Sequence, residues 1–280
     1  MTADRQWESP GRWAELVLYG VCALVVLFLM LPIFIVIPIS FSSALYLEFP
    51  PRGFSLQWYA RFFDSHEWTA ALWTSLRAGI LATLLACTLG TAAALGLARS
   101  RFPGKSLIVG LLVSPMIVPV IVLAIGIYAA YAKLQLVGSL LGLVLAHAAL
   151  GLPFVLVTVS ATLQRVDERL EHAALSLGAT PLQAFRHVLF PLIRPGVIAG
   201  ALFAFIASWD DAVIALFISG TRSATLPKRM WEGLRSEIDP TIAAVSTLLV
   251  ALSVALMLVL ELLRRRSARL AGSMPEARAG

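Results

Sequence analysis

Charge is what this sequence has least of. Asp, Glu, Lys and Arg together supply 14% of its 280 residues, against about 25% in an ordinary soluble domain. Cysteine is almost missing too. Cys22 and Cys87 each lie inside an apolar run and share no metal-type spacing, so neither a disulfide framework nor a zinc fold is expected, and both read as packing residues. The chain carries no Gly-x4-Gly-Lys-Ser/Thr phosphate loop, which excludes ATP hydrolysis by that route. Nor does it contain a Gly-x-Ser-x-Gly elbow, a His-Glu-x2-His pair or a Cys-x2-Cys pair. Nothing in it looks like a soluble enzyme, and no cofactor is expected on this chain.

What fills the sequence instead is apolar: 59% of residues are hydrophobic and mean hydropathy is +0.85. A helix needs about 20 apolar residues to cross a hydrocarbon core roughly 30 Å thick. Six stretches qualify, near Leu16–Phe41, Leu72–Ala98, Leu107–Ala132, Gly138–Leu163, Val197–Ser219 and Ile242–Leu263. The first is too long for a signal-peptide core and is read as a retained span. The expected fold is therefore an all-α, polytopic membrane bundle, one transmembrane domain over residues 1–280.

Several spans contain proline: Pro32 and Pro38, Pro115 and Pro119, and Pro153. Proline removes a backbone donor and kinks a helix, which lipid tolerates where neighbours or water satisfy the freed carbonyls. Kinked helices around a shared pathway suit a transporter better than an anchor. Small-residue runs, Gly90 to Ala94 and Gly196 to Gly200, allow helices to approach closely, as in any bundle.

The net charge of +6 sits in short loops, without a basic stripe interleaved with aromatics, so nucleic acid is not an expected partner and membrane lipid is. With the N-terminus inside, the cytoplasmic segments hold Arg5, Arg12, Arg99, Arg101, Lys105, Arg165, Arg169, Arg186, Arg194, Arg264, Arg265, Arg266, Arg269 and Arg278. The other side holds only Arg52, Arg61, Arg77, Lys133, Arg222, Lys228, Arg229 and Arg235. This bias predicts both termini inside.

The longest cytoplasmic loop, residues 164–195, is the most informative. Ala173, Ala174, Leu175 and Leu177 give a short amphipathic helix, which Gly178 can end in a left-handed conformation. Thr180 can cap a second helix with Pro181 at its first position, and Leu182, Phe185, Val188 and Leu189 form its apolar face. Pro191 and Pro195 are expected to stop it before the fifth span. The result is a helix-turn-helix shaped to enter a groove on a soluble partner.

This loop resembles that of the inner-membrane permease subunits of bacterial ABC importers, whose hallmark is Glu-Ala-Ala-x3-Gly-x9-Ile-x-Leu-Pro. Here His172-Ala173-Ala174 is followed by Gly178, Val188 and Phe190-Pro191 at the same spacing. The departures are His172 at the Glu position, with Glu171 one residue earlier, and the Val and Phe replacements. The resemblance implies that Glu171, His172, Ala173, Ala174, Leu177, Gly178 and Pro191 couple the permease to an ATP-binding subunit. It leaves open whether His172 itself replaces the lost carboxylate, Glu171 does so, or that contact is weak. Two ATP-binding subunits carrying ATP and Mg, a second and different permease, and an extracytoplasmic substrate-binding protein are the implied partners, in a bacterial inner membrane.

Likeness to the polyamine (spermidine/putrescine) branch extends over Ser40-Phe41-Ser42, Phe54 to Tyr59, Ala71 to Leu76, Leu97 to Lys105, Pro115-x3-Pro119 and Ser208-Trp209-Asp210-Asp211. It implies a polyamine or other small cation as solute, with a phosphonate or iron importer as the alternative. Asp210 and Asp211 are the acidic residues lying clearly within a span, where each costs about 2.5–3.5 kcal/mol near mid-bilayer. Either at least one faces the pathway and helps pass a cation, with Trp209 nearby for a cation–π contact, or the pair ends the helix, caps a break or meets an arginine of the other permease. A lone His147 in the fourth span reads more readily as a helix–helix hydrogen bond than as a proton relay. His66 and Glu67 are too few for a metal site. Residues 221–240 read as an amphipathic segment for a periplasmic protein or the membrane surface. An ion-driven carrier would need related halves, which the sequence does not show, and an intramembrane enzyme would need acids facing each other from two helices.

Overall fold

The computed structural model describes residues 12–220, 223–236 and 239–272. In chain order the helices are α1 (Arg12–Ser40), α2 (Gln57–Asp64), α3 (His66–Arg99), α4 (Lys105–Val113), α5 (Val120–Leu134) and α6 (Leu140–Leu163). They continue with α7 (Arg169–Ser176), α8 (Pro181–Ala184), α9 (Phe190–Trp209), α10 (Val213–Ile218), α11 (Leu226–Ser236) and α12 (Thr241–Gly272). Five helices are long and apolar enough to cross a membrane, and the bent pair α4–α5 makes a sixth if it counts as one crossing.

Two of the expected spans need correction. The third is not one rod: Lys105–Met116 and Val120–Leu134 meet at 104°, because Pro115 and Pro119 each withhold an amide and Pro119 adopts an extended ψ of 127°. The fifth begins and ends earlier than its hydropathy suggests. Helix runs from Pro181 to Trp209 without the stop expected at Pro191 and Pro195. A π-helical turn over Phe185–Leu189 makes this possible, with the Phe190 amide reaching back to the Phe185 carbonyl, a wider loop that admits the Pro191 ring. The run then breaks at Asp210-Asp211-Ala212, and only α10 follows.

Lipid is as apolar as leucine, so helices here associate through close contact, not escape from water. The core is α3, α6 and α9, joined at the small residues. A Cβ added at Gly90 would meet Val155 Cβ at 2.8 Å, and one at Gly151 would meet Ala204 Cβ at 2.9 Å. Gly200 lies equally close to the Val155 Cα, at 2.7 Å from such a Cβ. Ala82, Ala86 and Ala94 complete the contact from α3. Cys87 packs beside this core, as expected, whereas Cys22 is exposed. Its helix α1 leans mainly on α12 and buries none of its apolar window, so most of its apolar surface is left uncovered by the described residues of the chain.

The end opposite α7 is tied by polar contacts. Trp58 Nε1 donates to the Ser42 carbonyl at 2.9 Å, and the Leu226 amide donates to Ser75 Oγ at 2.8 Å. Arg229 pairs with Glu67. Replacing Gly200 by Val is expected to destabilise the bundle by about 1–3 kcal/mol through overpacking, read as a lower melting temperature of the detergent-purified protein. Gly96, which has nothing within 4 Å of an added Cβ, should accept Ala without loss.

Candidate functional site: a surface hairpin and a cleft at two helix breaks

The hairpin forms from local signals. Glu168 and Asp167 open α7, where the Asp167 side chain accepts from the Arg169 amide at 2.9 Å. Gly178 ends it at φ +89°, the left-handed conformation that suits glycine, while the Ala179 amide returns to the Ala174 carbonyl at 3.1 Å. Thr180 then starts α8 with a reciprocal cap: its Oγ accepts from the Gln183 amide, and Gln183 Oε1 accepts from the Thr180 amide at 2.8 Å. That box is written in the sequence as Thr-x-x-Gln ahead of an apolar run, although only Thr180 had been singled out.

α7 contains no buried residue. Leu177 is 89% exposed and Leu182 73% exposed, and His172, Ala173 and Gly178 are also open to solvent. Ala174 is half-buried. Glu171 turns the other way and pairs with Arg99 at the end of α3. Of the two residues at or beside the motif's Glu position, Glu171 is thereby engaged inside the chain and His172 stands outward. Pro191 is exposed at the start of α9. Because both partners are partly exposed, the Arg99–Glu171 pair adds about 0–1 kcal/mol at most; it orients the hairpin more than it stabilises the fold.

The second region joins the two backbone breaks. A cleft of about 440 Å³ is lined by Pro115, Met116, Leu150, Phe154, Asp210 and Asp211, among others. The proline kink and the acidic pair, noted separately in the sequence, thus face the same space. Its volume lies within the ~300–1,000 Å³ typical of small-molecule sites. Backbone donors at the proline break find acceptors: Ser114 O takes the Ile117 and Val118 amides at 2.9 Å each, and Pro119 O takes Val122 at 2.9 Å.

The two acids have different surroundings. Asp210 is exposed, and its Oδ1 accepts from Ser253 Oγ at 3.4 Å. The Asp211 side chain is 6% exposed, accepts from the Ala215 amide at 3.1 Å, and lies 3.4 Å from His147 Nε2. His147 Nδ1 is 2.6 Å from Ser208 Oγ, the interhelical hydrogen bond its position suggested. Trp209 is placed differently from the expectation. It is 2% exposed, stacks on Phe205 and packs with Phe62 and Trp68, away from the cleft lining.

At its other end α10 is closed by Lys228, 7% exposed, whose Nζ donates to the Ser219 carbonyl at 2.5 Å. Burial holds this amine below the ordinary lysine range, with Glu232 at 3.9 Å opposing the shift. A cation at a helix C-terminus matches the helix dipole, as a carboxylate does at the N-terminus. The Asp211 cap is local and is one of the alternatives the sequence offered for the acidic pair, whereas the Lys228 contact joins separate elements and could not be read from spacing.

Comparison with known proteins bears on the family and the fold. Residues 86–269 match the family described as binding-protein-dependent transport system inner membrane component. The spermidine/putrescine transport system permease protein of Haemophilus influenzae is 34% identical over 243 residues, covering 86% of this chain and 93% of that one. The putrescine transport system permease protein of Escherichia coli K12 is 33% identical, over 79% of this chain and 81% of that one. Among solved structures, a bacterial ABC transporter involved in the import of the acidic polysaccharide alginate superposes with a TM-score of 0.72 at 15% identity, covering 91% of this chain and 98% of that chain. With 34% identity over most of its length and a family match across both the hairpin and the acidic break, the chain belongs to the binding-protein-dependent transport system inner membrane components, the permease subunits of ABC importers.

Proposed function

We propose that this permease passes a polyamine or similar small cation, with ATP hydrolysed on separate subunits that its hairpin engages from the cytoplasm. The single observation that carries the coupling role is α7: a helix with no buried residue, bearing the family's spacing and ending in a leucine that is 89% exposed. Apolar side chains held out on a fixed hairpin need a partner groove. Ala173, Ala174, Leu177 and Gly178 form its contact surface. His172 stands where the family has Glu, and Glu171 sets the hairpin's angle through Arg99. The bias of Lys and Arg supports both termini in the cytoplasm.

Support for a cation comes from two sides: relatives named for spermidine and putrescine, and an exposed Asp210 on a cleft whose other walls are largely apolar. A carboxylate in such surroundings attracts positive charge more strongly than it would in bulk water. In the assembled importer the cleft faces a second, different permease, and a binding protein delivers solute from the far side. Nucleotide binding then shifts the hairpin, and with it the Pro181–Trp209 helix, between two states of the cleft. A full switch needs about 5.5 kcal/mol of preference for one state.

Purification of this chain from its native membrane should recover an ATP-binding subunit. Leu177→Asp should abolish that recovery while leaving the melting temperature unchanged; recovery of an active chain without an ATPase would overturn the coupling role. Uptake of labelled spermidine by the intact importer tests the cleft. Asp210→Asn should raise KM by about tenfold, the scale of one lost charge contact, and an unchanged KM for every polyamine tried would remove Asp210 from the pathway.

A further inference from the structure

The sequence presents Asp210-Asp211 as a pair, but one buried histidine separates their roles. His147 lies about two turns into α6 with its side chain fully buried. It touches the last turn of α9 and the break itself: Ser208 through Nδ1, at 2.6 Å, and Asp211 through Nε2, at 3.4 Å. The second separation exceeds the ~2.9 Å of a well-formed hydrogen bond, yet Nε2 is buried with no other partner. With the proton on Nε2, Ser208 donates to Nδ1 and the ring N–H is directed at the carboxylate.

Asp211 has a second task. Its Oδ2 accepts the Ala215 amide and so starts α10, a helix of six residues and too short to hold itself together without such help. Asp210, between the two contacts, touches neither His147 nor the α10 amides and remains exposed on the cleft. Leu150 and Phe154, on the same face of α6 as His147, form the opposite part of that lining.

We propose that His147 is a positioning residue for solute passage: by holding Ser208 and Asp211 at the break it fixes the α9–α10 junction, so that Asp210 alone of the acidic pair offers its carboxylate to a cationic solute. This rests on the cation reading of the cleft. Asp211 is a structural acid, and the cleft's affinity depends on His147 although His147 never meets the solute.

The test is concentration-dependent uptake of labelled spermidine by the complete importer in proteoliposomes, with assembled complex quantified for each variant. His147→Leu and Asp211→Asn are each expected to raise KM by about tenfold, the lower end for a hydrogen bond to a charged group, at an unchanged amount of complex. The double variant should be no worse than the worse single, since both remove the same contact. His147→Gln, which keeps a donor, should recover most of the affinity. Single effects that multiply in the double variant, or a loss of Vmax that follows assembly at constant KM, would reduce His147 to packing. If His147→Leu does not assemble, the same comparison is made with His147→Gln, Asp211→Asn and their double variant. Asp210→Asn keeps the two readings apart. An unchanged KM there sinks the cation pathway itself, whereas a raised KM without coupling between 147 and 211 sinks only the positioning role.

Discussion

In hydrocarbon every backbone amide and carbonyl must find a partner within the protein, because each unpaired group costs several kcal/mol and no water is at hand. The rest of this structure follows from that constraint. Unbroken helix is the cheapest answer, and α1, α3, α6 and α12 adopt it. Irregular backbone at depth survives only where protein or a cavity surrounds it. In the described residues the two membrane-depth breaks, at Ser114–Pro119 and at Asp210–Ala212, line one cleft. Each carries its own acceptors: the Ser114 and Pro119 carbonyls at the first, and the Asp211 carboxylate at the second.

Around that cleft the mechanics are divided. The α3–α6–α9 core is locked by glycine and alanine contacts too tight for any added methyl group to enter freely. Such a core moves as a unit, since packed interiors respond by shifting between arrangements and not by yielding gradually. The hairpin is the opposite case, with α7 free of burial and anchored by the Arg99–Glu171 pair. Helix joins the two regions without a stop. The 29 residues from Pro181 to Trp209, roughly 40 Å at the α-helical rise, lead from the hairpin's second helix to the acidic break. In the proposed mechanism a push at one end reaches the cleft along a single rod, whose π-turn at Phe185–Leu189 is the place where it can flex.

Much of this was legible in order, because the signals are local. Long apolar runs gave the spans, Gly178 and Thr180 gave the turn of the hairpin, and Pro115 and Pro119 marked a kink. The errors also have local causes. Hydropathy carried the fifth span through Asp210 to Ser219, since an average over many residues hides two acids. Proline was taken as a stop at 191 and 195, since a π-turn upstream that makes room for the ring leaves no mark in composition. Trp209 was set near the solute only by its place in the chain beside the acids, and residues adjacent on a helix point about 100° apart.

Sequence by itself determined that this chain lives in a membrane, which of its runs are apolar enough to cross it, and that its loop of residues 164–195 folds into a hairpin with the spacing of an ABC importer permease. These properties depend on apolar length, on caps and on φ > 0 at one glycine, all set within a few residues. Only the tertiary structure decided that the proline kink and the acids share a cleft, that Glu171 is spent on Arg99, and that His147 lies against Asp211 and not Asp210. Those contacts join residues far apart in the chain, and their partners are chosen by how the helices pack.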